Sequence, residues 1–245
     1  MFYPFHKGVH FSKEIVQNVI EGKGIPLEWE LKGRLKYLGH GDEAIAFETE
    51  DGKYVVKFIT THKIVQKMNS KPKKRIRKWL HYYDNRVKRG KETLKRYEKA
   101  FQTFKEEAGL VAIHIHPSKE DLPTCTVIDY LGKMHEIDMN KAAFIVQKKG
   151  EVISCFTSSD NILKLKGLFH AISQKGFVSE SRIFNPHNFA IVEDRAVIID
   201  LGKLKYAPEL SGAREEELLH NRYSEWAQRK HQIELELIPF IKNNV

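Results

Sequence analysis

Cysteine is scarce. Only Cys125 and Cys155 occur in 245 residues, which excludes a disulfide-stapled scaffold, and neither has the neighbouring Cys and His that a zinc site through sulfur requires. Long hydrophobic runs are missing as well: no stretch approaches the ~18 uninterrupted apolar residues of a membrane helix. The opening MFYPFHKGVHF lacks the charged, apolar, then small-residue order of a secretory leader. The chain therefore reads as a cytoplasmic protein and not an integral membrane one. Internal repeats and low-complexity tracts are absent too, so solenoid, collagen-like and disordered-tail readings fit poorly. What is present, 41% hydrophobic and 30% charged residues, suffices for one or two domains with a substantial core.

The formal charge of +9 is unevenly spread. Residues 63–99 hold 15 Lys and Arg against Asp84, Glu92 and Glu98, a local excess of +12 that leaves the remainder at −3. Basicity thus belongs to one segment, whose Lys/Arg clusters are interleaved with Trp79, Tyr82 and Tyr83. Such a segment suits a polyanion, either nucleic acid or anionic lipid headgroups, or a protein partner; a solvated helix face is the alternative.

Hydrophobic periodicity divides the chain further. Residues 11–22 have the spacing of a short amphipathic helix closed by Gly22 and Gly24. LKYLG, AIAFETE and KYVVKFIT read as an antiparallel meander with a hairpin turn at Asp51-Gly52. Residues 73–112 read as helical almost throughout, with Leu94, Tyr97, Phe101 and Phe104 on one side. TCTVIDYLG and KAAFIVQKKG follow as strands, then a helix from Asn161 to Gln174 capped by Gly176. FAIVEDRAVIIDLG reads as a hairpin, and residues 213–242 as a final helix or helix pair.

Three features carry chemistry. Gly39-His40-Gly41-Asp42-Glu43 lies between two strands, not between a strand and a helix, so it is neither a Rossmann nor a P-loop turn and instead suits a flap over phosphates. Lys57 stands in the apolar run Val55-Val56-Lys57-Phe58, where a buried ammonium needs a partner; on the other face of the strand it would simply meet solvent. Asn188 precedes by twelve residues Asp200, which ends an apolar strand and is followed by Leu201-Gly202. An Asn carbonyl and an Asp carboxylate are hard oxygen donors that suit magnesium.

The order of these features, from Gly-rich hairpin to Asp-Leu-Gly over residues 35–206, resembles the protein-kinase-like superfamily. The resemblance implies an α+β, two-lobed fold: an antiparallel-sheet N-lobe over residues 1–150, carrying the N-terminal helix and a basic helical insertion, and a reduced helical C-lobe over 151–245. It also implies ATP and Mg2+ as cofactors. Gly39 and Gly41 would cover the phosphates, and Lys57 would contact them and pair with a helix glutamate, Glu107 or Glu106, with Glu92 as a fallback. Gln147 to Gly150, including Lys149, would form the hinge beside adenine, and Asn188 and Asp200 would hold the metal.

Departures from the family pattern bear on activity. The catalytic-loop Asp expected five residues before Asn188 is Ile183, and Ser181 replaces the family's His beside Arg182. Glu180 or His187 could substitute as base if the loop is reshaped, although both also read as ordinary loop residues. Only 43 residues follow Gly202, too few for a full C-terminal lobe, so the chain is more similar to small bacterial atypical kinases, such as lipopolysaccharide-core sugar kinases and the PhoP-regulatory-network family. The expectation is an atypical or catalytically impaired ATP-dependent phosphotransferase. Its rivals are a binding module that works through the basic arm and an active kinase for a small molecule or envelope sugar.

Overall fold

The computed structural model describes residues 19, 27, 29–41, 44–60, 92–118, 121–154, 159–179, 185–201 and 204–207. The helices expected over 11–22 and 213–242, the basic segment up to residue 91, and Glu180 through Ile183 lie outside these residues, Val19 excepted. The described chain is a mixed α+β structure with a large, mostly antiparallel sheet and few helices.

That sheet has seven strands in the order β4-β7-β3-β2-β1-β5-β6: β1 (Leu35–His40), β2 (Ala44–Thr49), β3 (Tyr54–Ile59), β4 (Leu110–His114), β5 (Thr124–Ile128), β6 (Met134–Asp138) and β7 (Phe144–Lys148). The expected meander is β1 to β3. Its second turn closes where Gly52 takes φ 70°, a left-handed conformation that costs glycine little, while Thr49 Oγ1 donates to Asp51 at 2.6 Å. Strand β1 also pairs with β5, in parallel. A three-stranded sheet orders β11-β10-β8, and a two-stranded one pairs β12 with β9; these comprise β8 (Glu151–Val152), β9 (Phe177–Ser179), β10 (Phe189–Val192), β11 (Arg195–Ile198) and β12 (Leu204–Tyr206).

Among the described residues the α-helices are α1 over residues 92–104 and α2, Ser159–Gln174. The expectation that residues 73–112 are helical almost throughout is corrected at its C-terminal end, the part up to residue 91 lying outside the described residues. Helix α1 unwinds through a turn at 105–109, where the Gly109 N–H donates to the Glu106 carbonyl at 3.0 Å and the Leu110 N–H to the Lys105 carbonyl at 2.8 Å. With Gly109 at φ 58°, this is a Schellman-type stop, and the apolar run after it becomes β4. Leu94, Tyr97 and Phe104 of α1 are buried and Phe101 half-buried, as the periodicity implied. Helix α2 buries Ile162, Leu165, Phe169 and Ile172 and ends where Gly176, at φ 78°, donates to the Ser173 carbonyl at 2.7 Å.

The chain forms two compact units. Unit 1 comprises residues 1–94 and 113–146, and unit 2 residues 95–112 and 147–245. In unit 1 the core is aromatic: Phe47 meets Phe58 edge-on at 5.7 Å, and Phe58 meets Phe144 at 6.0 Å, all three fully buried. Each such ring contributes about 1.5–3 kcal/mol through burial alone. In unit 2, Phe104 packs on Phe177 at 4.5 Å and Phe169 on Phe189 at 5.4 Å. Among the described residues no helix is long and apolar enough to cross a membrane.

Candidate functional site

Within unit 1 the register of three strands aligns the flap with the strand lysine. Gly39 of β1 lies opposite Ala46 of β2, and Ala46 lies opposite Lys57 of β3. The three form one row on one face of the sheet, and two strand spacings put Gly39 and Lys57 roughly 10 Å apart. The register shifts between Tyr37 and Gly39, so the strand bulges where the flap begins. Lys57 is half-buried between Val56 and Phe58, both fully buried on the opposite face. It shares its own face with Val55 and Ile59.

Gly39 and Gly41 are not explained by the fold. Neither has positive φ, and a Cβ added at either would meet nothing within 4 Å. The backbone of Gly39 pairs with Ala46 in the β1–β2 ladder, and that of Gly41 donates to the Ala44 carbonyl at 2.9 Å. A glycine required neither by dihedral nor by contact keeps the backbone approachable from outside, as a phosphate flap needs.

Unit 2 gathers the oxygen donors. Asn185 caps a short 3-10 turn, Pro186–Asn188, by accepting the His187 N–H, and the turn delivers Asn188 to the start of β10. Strands β10 and β11 pair from Phe189↔Ile198 to Val192↔Arg195. Beyond that ladder the Ile199 N–H donates to the Asn188 carbonyl at 2.8 Å. Asp200 therefore follows immediately on the residue bonded to Asn188, and both stand at the open end of one hairpin. Asp200 is exposed and Asn188 half-buried. Two hard oxygen donors fit magnesium, which usually takes one or two protein ligands and fills its octahedron with phosphate oxygens and water. Among the described residues no group of three or more His, Cys, Asp and Glu converges as a self-sufficient metal centre.

The remaining expected residues fall into differing surroundings. Gln147 is buried, its Nε2 donating to the Ala108 carbonyl at 2.7 Å while its Oε1 has no partner. Lys149 and His187 are exposed. Gly150 packs so closely on β10 that a Cβ there would stand 2.4 Å from the Ile191 carbonyl oxygen.

Expected as helix glutamates, Glu106 and Glu107 lie instead in the turn that ends α1; Glu106 is exposed, and Glu107 Oε1 pairs with Lys175 at 2.6 Å. Glu92 and Glu98 are the glutamates within the regular helix. Sequence reasoning missed the Lys175 partner, which lies 68 residues away from Glu107. It also missed the Glu193-Asp194 turn, where both residues take left-handed φ, 48° and 67°, without the glycine that usually marks such a turn.

No protein-family model matches the chain, and no curated protein matches it either. Among solved structures the chain is similar to the crystal structure of WbdD, with 15% sequence identity and a TM-score of 0.38. The match covers 75% of this chain and 35% of that one, so the chain spans about a third of WbdD's length.

Proposed function

We propose that this chain is a kinase-like nucleotide-binding protein of two lobes that holds ATP through magnesium, with phosphotransfer atypical or impaired. The observation that supports the reading is the backbone pairing of Asn188 with Ile199, which brings Asn188 and Asp200 to the same end of one hairpin; their side-chain oxygens would hold the metal. Support comes from the Gly39-Ala46-Lys57 row of unit 1, a glycine flap and an ammonium on one sheet face. Magnesium, when bound, would supply charge neutralisation at the phosphate oxygens. Lys57 would add a fixed positive charge, and Gly39 and Gly41 would admit the phosphates close to backbone N–H groups.

Positioning and charge neutralisation carry much of phosphoryl transfer. The residue missing from the family pattern is the catalytic-loop base, replaced by Ile183, and general-base help is typically worth ~10²–10⁴-fold. Transfer would then be slow while binding persists. Thermal denaturation with ATP, with and without magnesium, followed by a phosphate-transfer assay on the same sample, tests both parts. A ligand at a hundred times its dissociation constant adds roughly 2.7 kcal/mol. An unchanged transition at millimolar ATP with magnesium would refute the reading.

A further inference from the structure

Unit 2 contains a small cavity of about 150 Å3 between α1 and the β9–β12 pair. Its inner lining is apolar: Phe104, Phe177, Leu201 and Leu204 are all buried. Phe104 meets Phe177 at 4.5 Å, and Phe177 meets Tyr206 at 5.1 Å. Tyr206, 52% exposed, forms the solvent-facing side of the wall together with Lys95 and Lys99, also exposed. None of the residues named for nucleotide or metal binding lines this cavity.

Volume decides what can enter. An apolar cavity of roughly this size, lined by Leu and Phe, stays dry and admits one benzene-sized ring, whereas drug-sized ligands occupy roughly 300–1,000 Å3. The edge-on cluster of Phe104, Phe177 and Tyr206 offers such a ring aromatic neighbours.

Charge decides what the ring carries. Lys95, half-buried Arg96 and Lys99 all line the cavity, and no Asp or Glu does. Glu92 and Glu98, each three residues from Lys95 on the same helix, lie outside the lining. Lys99 Nζ stands 5.1 Å from the centre of the Tyr206 ring, a contact that places the ammonium without neutralising it. Among the described residues neither Lys95 nor Lys99 pairs with a carboxylate. A ligand without charge would leave these cations without a counter-charge, an ammonium would be repelled, and a bare inorganic anion would leave the apolar floor empty. We propose that the cavity binds a small aromatic anion of one ring, the ring seated on Phe104, Phe177 and Leu204 and the anionic group at the mouth between Lys95 and Lys99.

A saturation-transfer NMR titration of the full chain with phenylacetate tests this, and it contains no nucleotide, so its outcome is independent of ATP binding. Saturation of the ring protons is expected, with saturable binding at least tenfold (about 1.4 kcal/mol) tighter than that of 2-phenylethanol, which has a similar shape without the charge. Acetate at equal concentration should not displace phenylacetate. Replacing both exposed lysines, Lys95→Gln with Lys99→Gln, should reduce phenylacetate to the affinity of the alcohol and leave the alcohol's own binding unchanged. Leu204→Trp should abolish binding of both by filling the cavity; should that variant fail to fold, the lysine pair decides alone, since neither lysine is buried. Absence of binding at millimolar phenylacetate, equal affinity for 2-phenylethanol, displacement by equimolar acetate, or undiminished binding to the Lys95→Gln, Lys99→Gln protein would each overturn the proposal.

Discussion

Alanine at two glycines should move stability in opposite directions. Gly150 does not have positive φ, so its substitution is governed by contact alone. The new Cβ would stand 2.4 Å from the Ile191 carbonyl oxygen and 2.5 Å from Val192 Cγ2, where ordinary contact begins at 3.4 Å. A backbone carbonyl cannot rotate aside as a flexible side chain would, so β8 and β10 must separate by about 1 Å, against their pairing at Ala190↔Val152 and Ile191↔Glu151. Overpacking of this kind costs about 1–3 kcal/mol, which in a chain of this length lowers Tm by roughly 2–12 °C. At Gly167 the same methyl meets open space, and Gly167→Ala should raise stability by about 0.5–1 kcal/mol, or roughly 1–4 °C. Thermal denaturation followed by circular dichroism reads both variants. Equal shifts, or a Gly150→Ala protein as stable as the wild type, would refute the packing of Gly150 against β10.

Other consequences are equally direct. Burial, aided by the nearby Glu136 charge, pushes the Cys125 thiol up to about 12, so in a Cys155→Ser background Cys125 should resist a disulfide reagent until denaturant is added; prompt labelling of the native protein would contradict its burial. Burial alone would raise the Asp129 carboxyl, but hydrogen bonds from His135 and from the Lys133 and Leu131 N–H groups outweigh it and hold it below the usual value. Its stabilisation is therefore present above the unfolded pKa of about 3.9 and lost as pH falls through the lower folded value. Asp129→Asn should be less stable than wild type at neutral pH, with the gap closing in acid, and a gap that widens in acid would invert the assignment. Installing the missing carboxylate with Ile183→Asp should speed phosphate transfer by up to ~10²–10⁴-fold while leaving ATP affinity unchanged; no gain would mean that base loss is not what limits the reaction.

Strands with strong local signals were legible in the sequence. The β1 to β3 meander is written in Asp51-Gly52 and in alternating apolar residues, and α2 in Ile162, Leu165, Phe169 and Ile172 with Gly176 as its stop. Strand β4 was hidden because Leu110 to His114 continue the apolar content of α1, and the stop depends on Gly109 adopting left-handed φ. Strands β8, β9 and β12 are two or three residues long and exist through pairing with distant partners, which no local pattern reveals. Of the candidate site, Lys57, Asn188 and Asp200 could be picked out by residue type and order. What could not be read was the register that aligns Gly39, Ala46 and Lys57, or the partner that takes Glu107, since Lys175 reaches it only through tertiary packing.

The central claim is nucleotide binding through Lys57 and Asp200, and calorimetric titration of ATP into the wild-type chain, Lys57→Met and Asp200→Ala, each with and without magnesium, tests it most directly. The account predicts saturable, magnesium-dependent binding to the wild type, weaker binding to Lys57→Met in both conditions, and loss of the magnesium dependence in Asp200→Ala. Binding that is absent from the wild type, or identical in all three proteins, would contradict it.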